Sequence, residues 1–119
     1  MDKQILIIDD SPHNRQLLRH QLETNYAVLE APTGQAGMQI FEEQQPDCVF
    51  LDLQMPFMDG RTVLQLLRAK NERLPIVIMS NNILECTQLE CKSLGATTLL
   101  SKPLEAALVQ DTCSHLIAN

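Results

Sequence analysis

A doubly wound α/β fold, with five parallel strands flanked by five helices, is what this chain of 119 residues predicts. Two features of the hydrophobicity point to it. Short runs are apolar without alternation, as in strands buried on both faces, and between them lie segments whose apolar residues recur at helical spacing. The third feature is order. Strand and helix alternate five times, which calls for right-handed crossovers and a parallel sheet covered on both sides.

The strands are expected at QILIID (4 to 9), YAVLEA (26 to 31), DCVFLD (47 to 52), PIVIMS (75 to 80) and TTLLS (97 to 101). Ser11 as N-cap and Pro12 at the first helical position open the first helix, whose inner face carries Leu17, Leu18 and Leu22. Met38, Ile40 and Phe41 mark the second helix, and Val63, Leu64, Leu66 and Leu67 the third. Ile83, Leu84, Leu89 and Leu94 mark the fourth, and Leu104, Leu108, Leu116 and Ile117 the last. Gly95 reads as a helix C-terminal glycine, residues 71 to 74 as a polar connection before Pro75, and Gly60 as a residue allowing backbone conformations closed to others near the start of the third helix. A flavodoxin-like sheet of order 2-1-3-4-5 is the simplest arrangement of five such units, and it places ligands outside the carboxyl ends of the strands. One domain spanning residues 1 to 119 is expected, since no linker, repeat or low-complexity segment divides the chain.

Composition narrows the function. Apolar residues make up 45% and charged residues 20%, ordinary values for a globular domain. A net charge of -6 and a pI near 4.9 disfavour binding to nucleic acid, which needs clustered cations to displace counterions from phosphates. The apolar start is too short for a signal-peptide core and is followed by acids, so a cytoplasmic location with no membrane contact is expected. Cys48, Cys86, Cys91 and Cys113 form no CxxC pair and no zinc-ligand spacing, and free, mostly buried thiols are expected.

The chemistry stands at the strand ends. The first strand runs into Asp9 and Asp10, the third into Asp52, the fourth into Ser80 and the fifth into Lys102-Pro103. Three carboxylates gathered at one edge repel unless a cation lies among them, and an oxygen-only ligand set suits Mg²⁺. With that charge neutralised, a carboxylate can attack a phosphoryl group. Lys102 then supplies a further positive charge and Ser80 a hydroxyl donor.

With IIDD at the first strand, LDLQMPFMDG around Asp52, IMS at the fourth strand and LLSKPL at the fifth, the chain resembles the receiver domains of two-component response regulators, including chemotaxis regulators, along its whole length. The resemblance implies that Asp52 is the phosphorylated aspartate. It implies that Asp10 and Asp52 ligate Mg²⁺ directly, Asp9 through water, and Gln54 through its backbone carbonyl. Ser80 is similar to the hydroxyl residue that follows the phosphoryl group, and Lys102 to the lysine that pairs with it, joined to Pro103 by a cis bond. The donor so implied is a sensor histidine kinase or a phosphotransfer protein. The resemblance further implies that the output partner is met through the fourth helix, fifth strand and fifth helix, about residues 83 to 117, with Ile83, Leu84, Leu99 and Leu108 as candidates for contact, although such residues are more often core. Asn14-Arg15 resembles receivers attached to hybrid sensor kinases. The protein is then a stand-alone receiver or the receiver of a longer chain.

Three positions depart from the family's pattern. Asn81, itself followed by Asn82, stands after Ser80 where a small residue is typical, and Leu99 replaces the aromatic three residues before the lysine, which removes an aromatic rotamer switch. Gln54 stands at a position that in such domains influences the access of hydrolytic water, which implies a tuned phosphoryl lifetime. His13 reads as an exposed surface histidine, and His20 and His115 have no ligand partner in sequence. A flavin or nucleotide carrier would carry a Ser/Thr/Gly-rich loop in place of DDSPHN. A phosphatase would need a second carboxylate where Gln54 stands. The competing function is a pseudo-receiver, an interaction module independent of phosphorylation.

Overall fold

Alternate residues of the central strands serve two separate cores, which is why their sequences read as unbroken apolar runs. In the computed structural model, which describes residues 2 to 55, 59 to 81 and 88 to 117, the elements follow the expected order. They are β1 (Gln4–Ile8), α1 (Pro12–Leu22), β2 (Ala27–Ala31), α2 (Gly34–Gln44), β3 (Cys48–Asp52), α3 (Gly60–Lys70), β4 (Ile76–Ser80), α4 (Gln88–Ser93), β5 (Thr98–Ser101) and α5 (Ala106–Leu116). All strand pairs are parallel, in the order β2-β1-β3-β4-β5.

Ile5 and Ile7 of β1 join Phe50, Val77 and Leu100 beneath α1 and α5, packing on Leu18, Leu22, Val109 and Cys113. Leu6 and Ile8 join Val49, Leu51, Ile76 and Ile78 on the other face, against Phe41 of α2, Val63, Leu64 and Leu67 of α3 and Cys91 of α4. With β1, β3 and β4 covered on both sides, their backbone polar groups pair within the ladder and apolar side chains suit every position.

Ser11 caps α1 as its sequence predicts, its side chain accepting from the Asn14 amide, and Pro12 occupies the first turn. Thr33 caps α2 and Asp59 caps α3 in the same manner. Gly95 has φ of +114°, the left-handed conformation foreseen for a helix C-terminus, and its carbonyl accepts from Arg68 Nε at 2.8 Å. The Lys102-Pro103 bond is cis, as expected.

The structure corrects four expectations. Leu17, Leu66, Leu89 and Leu108 were assigned to core faces but are exposed, Leu89 to 80%. In α5 the inward positions are Val109 and Cys113, and Leu104 precedes the helix instead of belonging to it. Leu108 faces outward because the helix docks on the sheet through the stripe of Val109 and Cys113, one position round from it. Cys48 and Cys113 are free and buried, whereas Cys91 is disulfide-bonded. Gly60 was expected to serve a conformation closed to other residues, yet it opens an ordinary helix. What it supplies is space, because a Cβ there would lie 2.5 Å from the Asp52 carbonyl oxygen and 2.6 Å from that of Leu53. Pro56, Asn82, Ile83, Leu84, Cys86 and Asn119 lie outside the described residues. Among the described residues no helix is long and apolar enough to cross a membrane.

Because the atoms crowding Gly60 are backbone, neither partner can rotate away. Gly60→Ala is expected to lower unfolding free energy by about 2 to 3 kcal/mol, the range of overpacking a tight contact. Urea denaturation followed by far-UV circular dichroism checks this, the chain having no tryptophan to report by fluorescence.

Candidate functional site

The parallel register brings the strand ends level. Ile8 pairs with Leu51, Asp52 with Met79 and Ser80 with Ser101, so the residues leaving β1, β3, β4 and β5 emerge at one edge of the sheet. Two further bonds carry the ladder past the strands, from the Leu53 amide to the Met79 carbonyl at 3.0 Å and from the Lys102 amide to the Ser80 carbonyl at 2.8 Å. At this edge Asp9, Asp52 and Ser80 are the buried polar residues. Asp10 is exposed.

Asp9, Asp10 and Asp52 each offer a carboxylate oxygen to a cluster whose atoms lie within 4.8 Å of one another. Lys102 reaches into it with a side chain only 8% exposed, its Nζ lying 2.9 Å from Asp9 Oδ2 and 3.4 Å from Asp52 Oδ1. The two buried acids are fixed alike. The Ser11 amide donates to Asp9 Oδ1 at 2.9 Å and the Gln54 amide to Asp52 Oδ1 at 3.3 Å, each two residues beyond its acid, the geometry of an Asx turn. Three carboxylates against one ammonium leave two negative charges uncompensated, and the donors are all hard oxygens. That set fits a small divalent cation such as Mg²⁺.

The electrostatics agree with the geometry. The Asp52 carboxyl is pushed up to about 6, first by burial and then by the charge of Asp9, against the lowering effects of Lys102 and the Gln54 amide. A cation beside Asp52 would favour its ionised, nucleophilic form.

Every site residue expected from the sequence reaches this edge. Asp9, Asp10 and Asp52 form the pocket, Lys102 enters it, and Ser80 and Gln54 flank it at the ends of β4 and β3. Asn81 is exposed beside Ser80, His13 is exposed on α1, and Leu99 is buried in the core at 7% exposure. The sequence reading missed the amides of Ser11 and Gln54, although the spacing of an Asx turn was available to suggest them. It also missed Arg15, whose Nη1 donates to the Asp9 carbonyl at 2.7 Å.

The family model for the response regulator receiver domain matches residues 5 to 113. The chain belongs to this family. This receiver domain is 33% identical to sporulation initiation phosphotransferase F of Bacillus subtilis, over 93% of its own length and 90% of the relative's. It is 29% identical to chemotaxis protein CheY of Halobacterium salinarum, over 98% of each chain. It is also 33% identical to sensor histidine kinase TmoS of Ectopseudomonas mendocina, of which it spans 12%. Its fold superposes on chemotaxis protein CheY4 of Vibrio cholerae with a TM-score of 0.90 at 25% identity, covering 98% of this chain and 99% of the other. The fold is accordingly the flavodoxin-like one expected, and a receiver domain is a signalling switch.

The raised Asp52 carboxyl fixes a pH dependence. Its folded value of about 6 lies above the ordinary 3.8, so its contribution to stability is complete below 3.8 and is lost as pH rises through 6. In buffer freed of divalent cations, Asp52→Asn is expected to exceed the wild type in stability at pH 7.5 by on the order of 1 to 2 kcal/mol. The gap should close toward pH 4. Thermal unfolding by circular dichroism at three pH values checks both the sign and the window.

Proposed function

We propose that Asp52 accepts a phosphoryl group from the phosphohistidine of a sensor histidine kinase or phosphotransfer protein, and that the modified domain is read by a partner or output domain. The reading rests on one observation above all: a buried carboxylate at the end of a central strand, with two further carboxylates within 4.8 Å and the Lys102 ammonium at 3.4 Å. Asp10 and Asp52 would ligate Mg²⁺ directly, Asp9 through water and Gln54 through its backbone carbonyl. The bound ion would lower the Asp52 carboxyl and offset charge on the phosphoryl oxygens.

The residues of the chain do the positioning. An ionised Asp52 oxygen forms the new O–P bond as the donor's N–P bond breaks, and the donor imidazole departs with the electron pair and takes up a proton. Lys102 holds its ammonium where a phosphoryl oxygen on Asp52 would come to lie. Ser80, at the end of the neighbouring strand, offers a hydroxyl to another. Asn81 and Gln54, both exposed at this edge, set the access of water that would return the carboxylate. Readout through α4, β5 and α5 is supported by the direct link of Lys102 to β4 and β5, and Leu108 is an exposed apolar residue on that face. These steps place the protein among switches that catalyse their own modification and not among turnover enzymes. A cytoplasmic setting follows from the kinase as donor.

The burial of Leu99 in place of the aromatic favours a second reading, an interaction module that no longer depends on phosphorylation. Intact mass after incubation with Mg²⁺ and acetyl phosphate separates the two. A single phosphoryl adduct is expected on the wild type and none on Asp52→Ala or in the presence of excess chelator. Lys102→Ala should form the adduct about a hundredfold more slowly, the cost of removing one preorganised positive donor. A folded wild type that gains no mass would select the second reading.

A further inference from the structure

The turn that carries the acidic pair is anchored from outside the pocket. Where β1 ends, the Asp9 amide still pairs with the Ala31 carbonyl at 3.1 Å, and the Asp9 carbonyl takes its hydrogen bond from Arg15 Nη1 at 2.7 Å. Arg15 is itself held, its Nε donating to Glu30 Oε1 of β2 at 3.1 Å and its side chain only 15% exposed. Arg19 grips the other oxygen of Glu30 and donates to the Val28 carbonyl at 3.1 Å. Glu30 is an acid next to the last residue of the edge strand β2, and the phosphoacceptor chemistry has no use for it.

We propose that Arg15 is a positioning residue for the metal site, setting the direction in which Asp10 presents its carboxylate. The inference rests on reading Asp9, Asp10 and Asp52 as a Mg²⁺ pocket. Its physical basis is the planarity of the peptide bond: the Asp9 carbonyl and the Asp10 amide share one plane, so a donor that fixes the carbonyl fixes where the chain of Asp10 begins. Asp9 has its amide, its carbonyl and both carboxylate oxygens engaged, while Asp10 is exposed and takes its orientation from the peptide before it. Charge alone does not account for the arrangement. Arg15 and Arg19 face Glu30, and Arg19 also lies 4.0 Å from Glu23, so the cluster is formally neutral and projects little field into the pocket. A planar guanidinium can bind a carboxylate and a carbonyl at once, which a lysine ammonium does less well.

Isothermal titration with Mg²⁺ tests this on wild type, Arg15→Met, Arg15→Lys and Asp10→Asn, each shown folded by circular dichroism. Arg15→Met is expected to weaken Mg²⁺ binding about tenfold, the lower end of what loss of an outer-shell partner costs a metal site. Arg15→Lys should recover less than half of that loss on a logarithmic scale. Affinity for Arg15→Met within twofold of wild type overturns the proposal, and so does full recovery by lysine, which would make charge the cause. If Arg15→Met does not fold, Glu30→Gln, which loosens the guanidinium but keeps it, should weaken binding about threefold, and unchanged affinity there overturns the proposal equally. Failure of the underlying reading looks different: wild type would not bind Mg²⁺, or Asp10→Asn would bind it as well as wild type. In that event ¹⁵N relaxation in metal-free buffer still decides the positioning role, since Arg15→Met should lower the backbone order of Asp10, and an unchanged order parameter overturns it.

Discussion

The contact of Lys102 with Asp9 and Asp52 is the interaction on which the rest of the site depends. Two carboxylates buried side by side at a sheet edge would each lose hydration and repel the other, a cost of several kcal/mol per ion without a counter-charge. One ammonium between them, 2.9 Å from the first and 3.4 Å from the second, makes the arrangement tolerable without making it neutral. The residue left at a disadvantage is Asp52, whose carboxyl is raised first by burial and then by the charge of Asp9, and only partly lowered again by Lys102. A site stable enough to fold and still short of positive charge is suited to take up a cation.

That balance requires residues far apart in sequence to meet with little error, and the parallel sheet provides the precision. Asp9 and Lys102 are separated by 93 positions, yet each lies one residue beyond the end of its strand. Adjacent parallel strands in register end level, so an acid after β1, an acid at the end of β3 and a lysine after β5 converge without any loop having to fold back. The interior of β3 is buried throughout, from Cys48 to Asp52, and this rigid support holds the nucleophile at a defined height.

Much of this was legible in the sequence, for identifiable reasons. Continuous apolar runs with polar termini have few alternatives to buried parallel strands, so all five strands and their order followed, with ends displaced by one residue. The helix caps were legible because Ser11 and Pro12 have a local mechanism that packing does not override. The inner faces of helices were less so. Leu17, Leu66 and Leu108 fit the helical period as well as their buried neighbours do, and only the docking angle of each helix selects between adjacent leucines. Gly60 illustrates a different limit. Its role is decided by the backbone of Asp52 and Leu53 passing within 2.6 Å of its missing Cβ, a tertiary fact with no local signature. Arg15 was invisible as a site residue for the same reason, since nothing in its spacing says that its guanidinium will meet the carbonyl of Asp9.

The close approach at Gly60 also bears on how a change at Asp52 could leave the site. The first turn of α3 rests directly on the backbone of Asp52 and Leu53, with the Gly60 amide donating to the Leu53 carbonyl at 3.2 Å. On the other side, the Lys102 amide bonds the Ser80 carbonyl, so the lysine that responds to charge at Asp52 is fastened through its own backbone to β4 and β5. Both connections run through main chain, and a close-packed main chain transmits displacement where a flexible side chain would absorb it. On the phosphoacceptor reading, new charge at Asp52 would draw the Lys102 ammonium from a carboxylate toward phosphoryl oxygens, and the strain would pass into β5 and the start of α5. With Leu99 in place of an aromatic, no rotating ring is available to carry the signal. On that same reading, the backbone of Lys102 would be the route by which the site addresses the α4, β5 and α5 face.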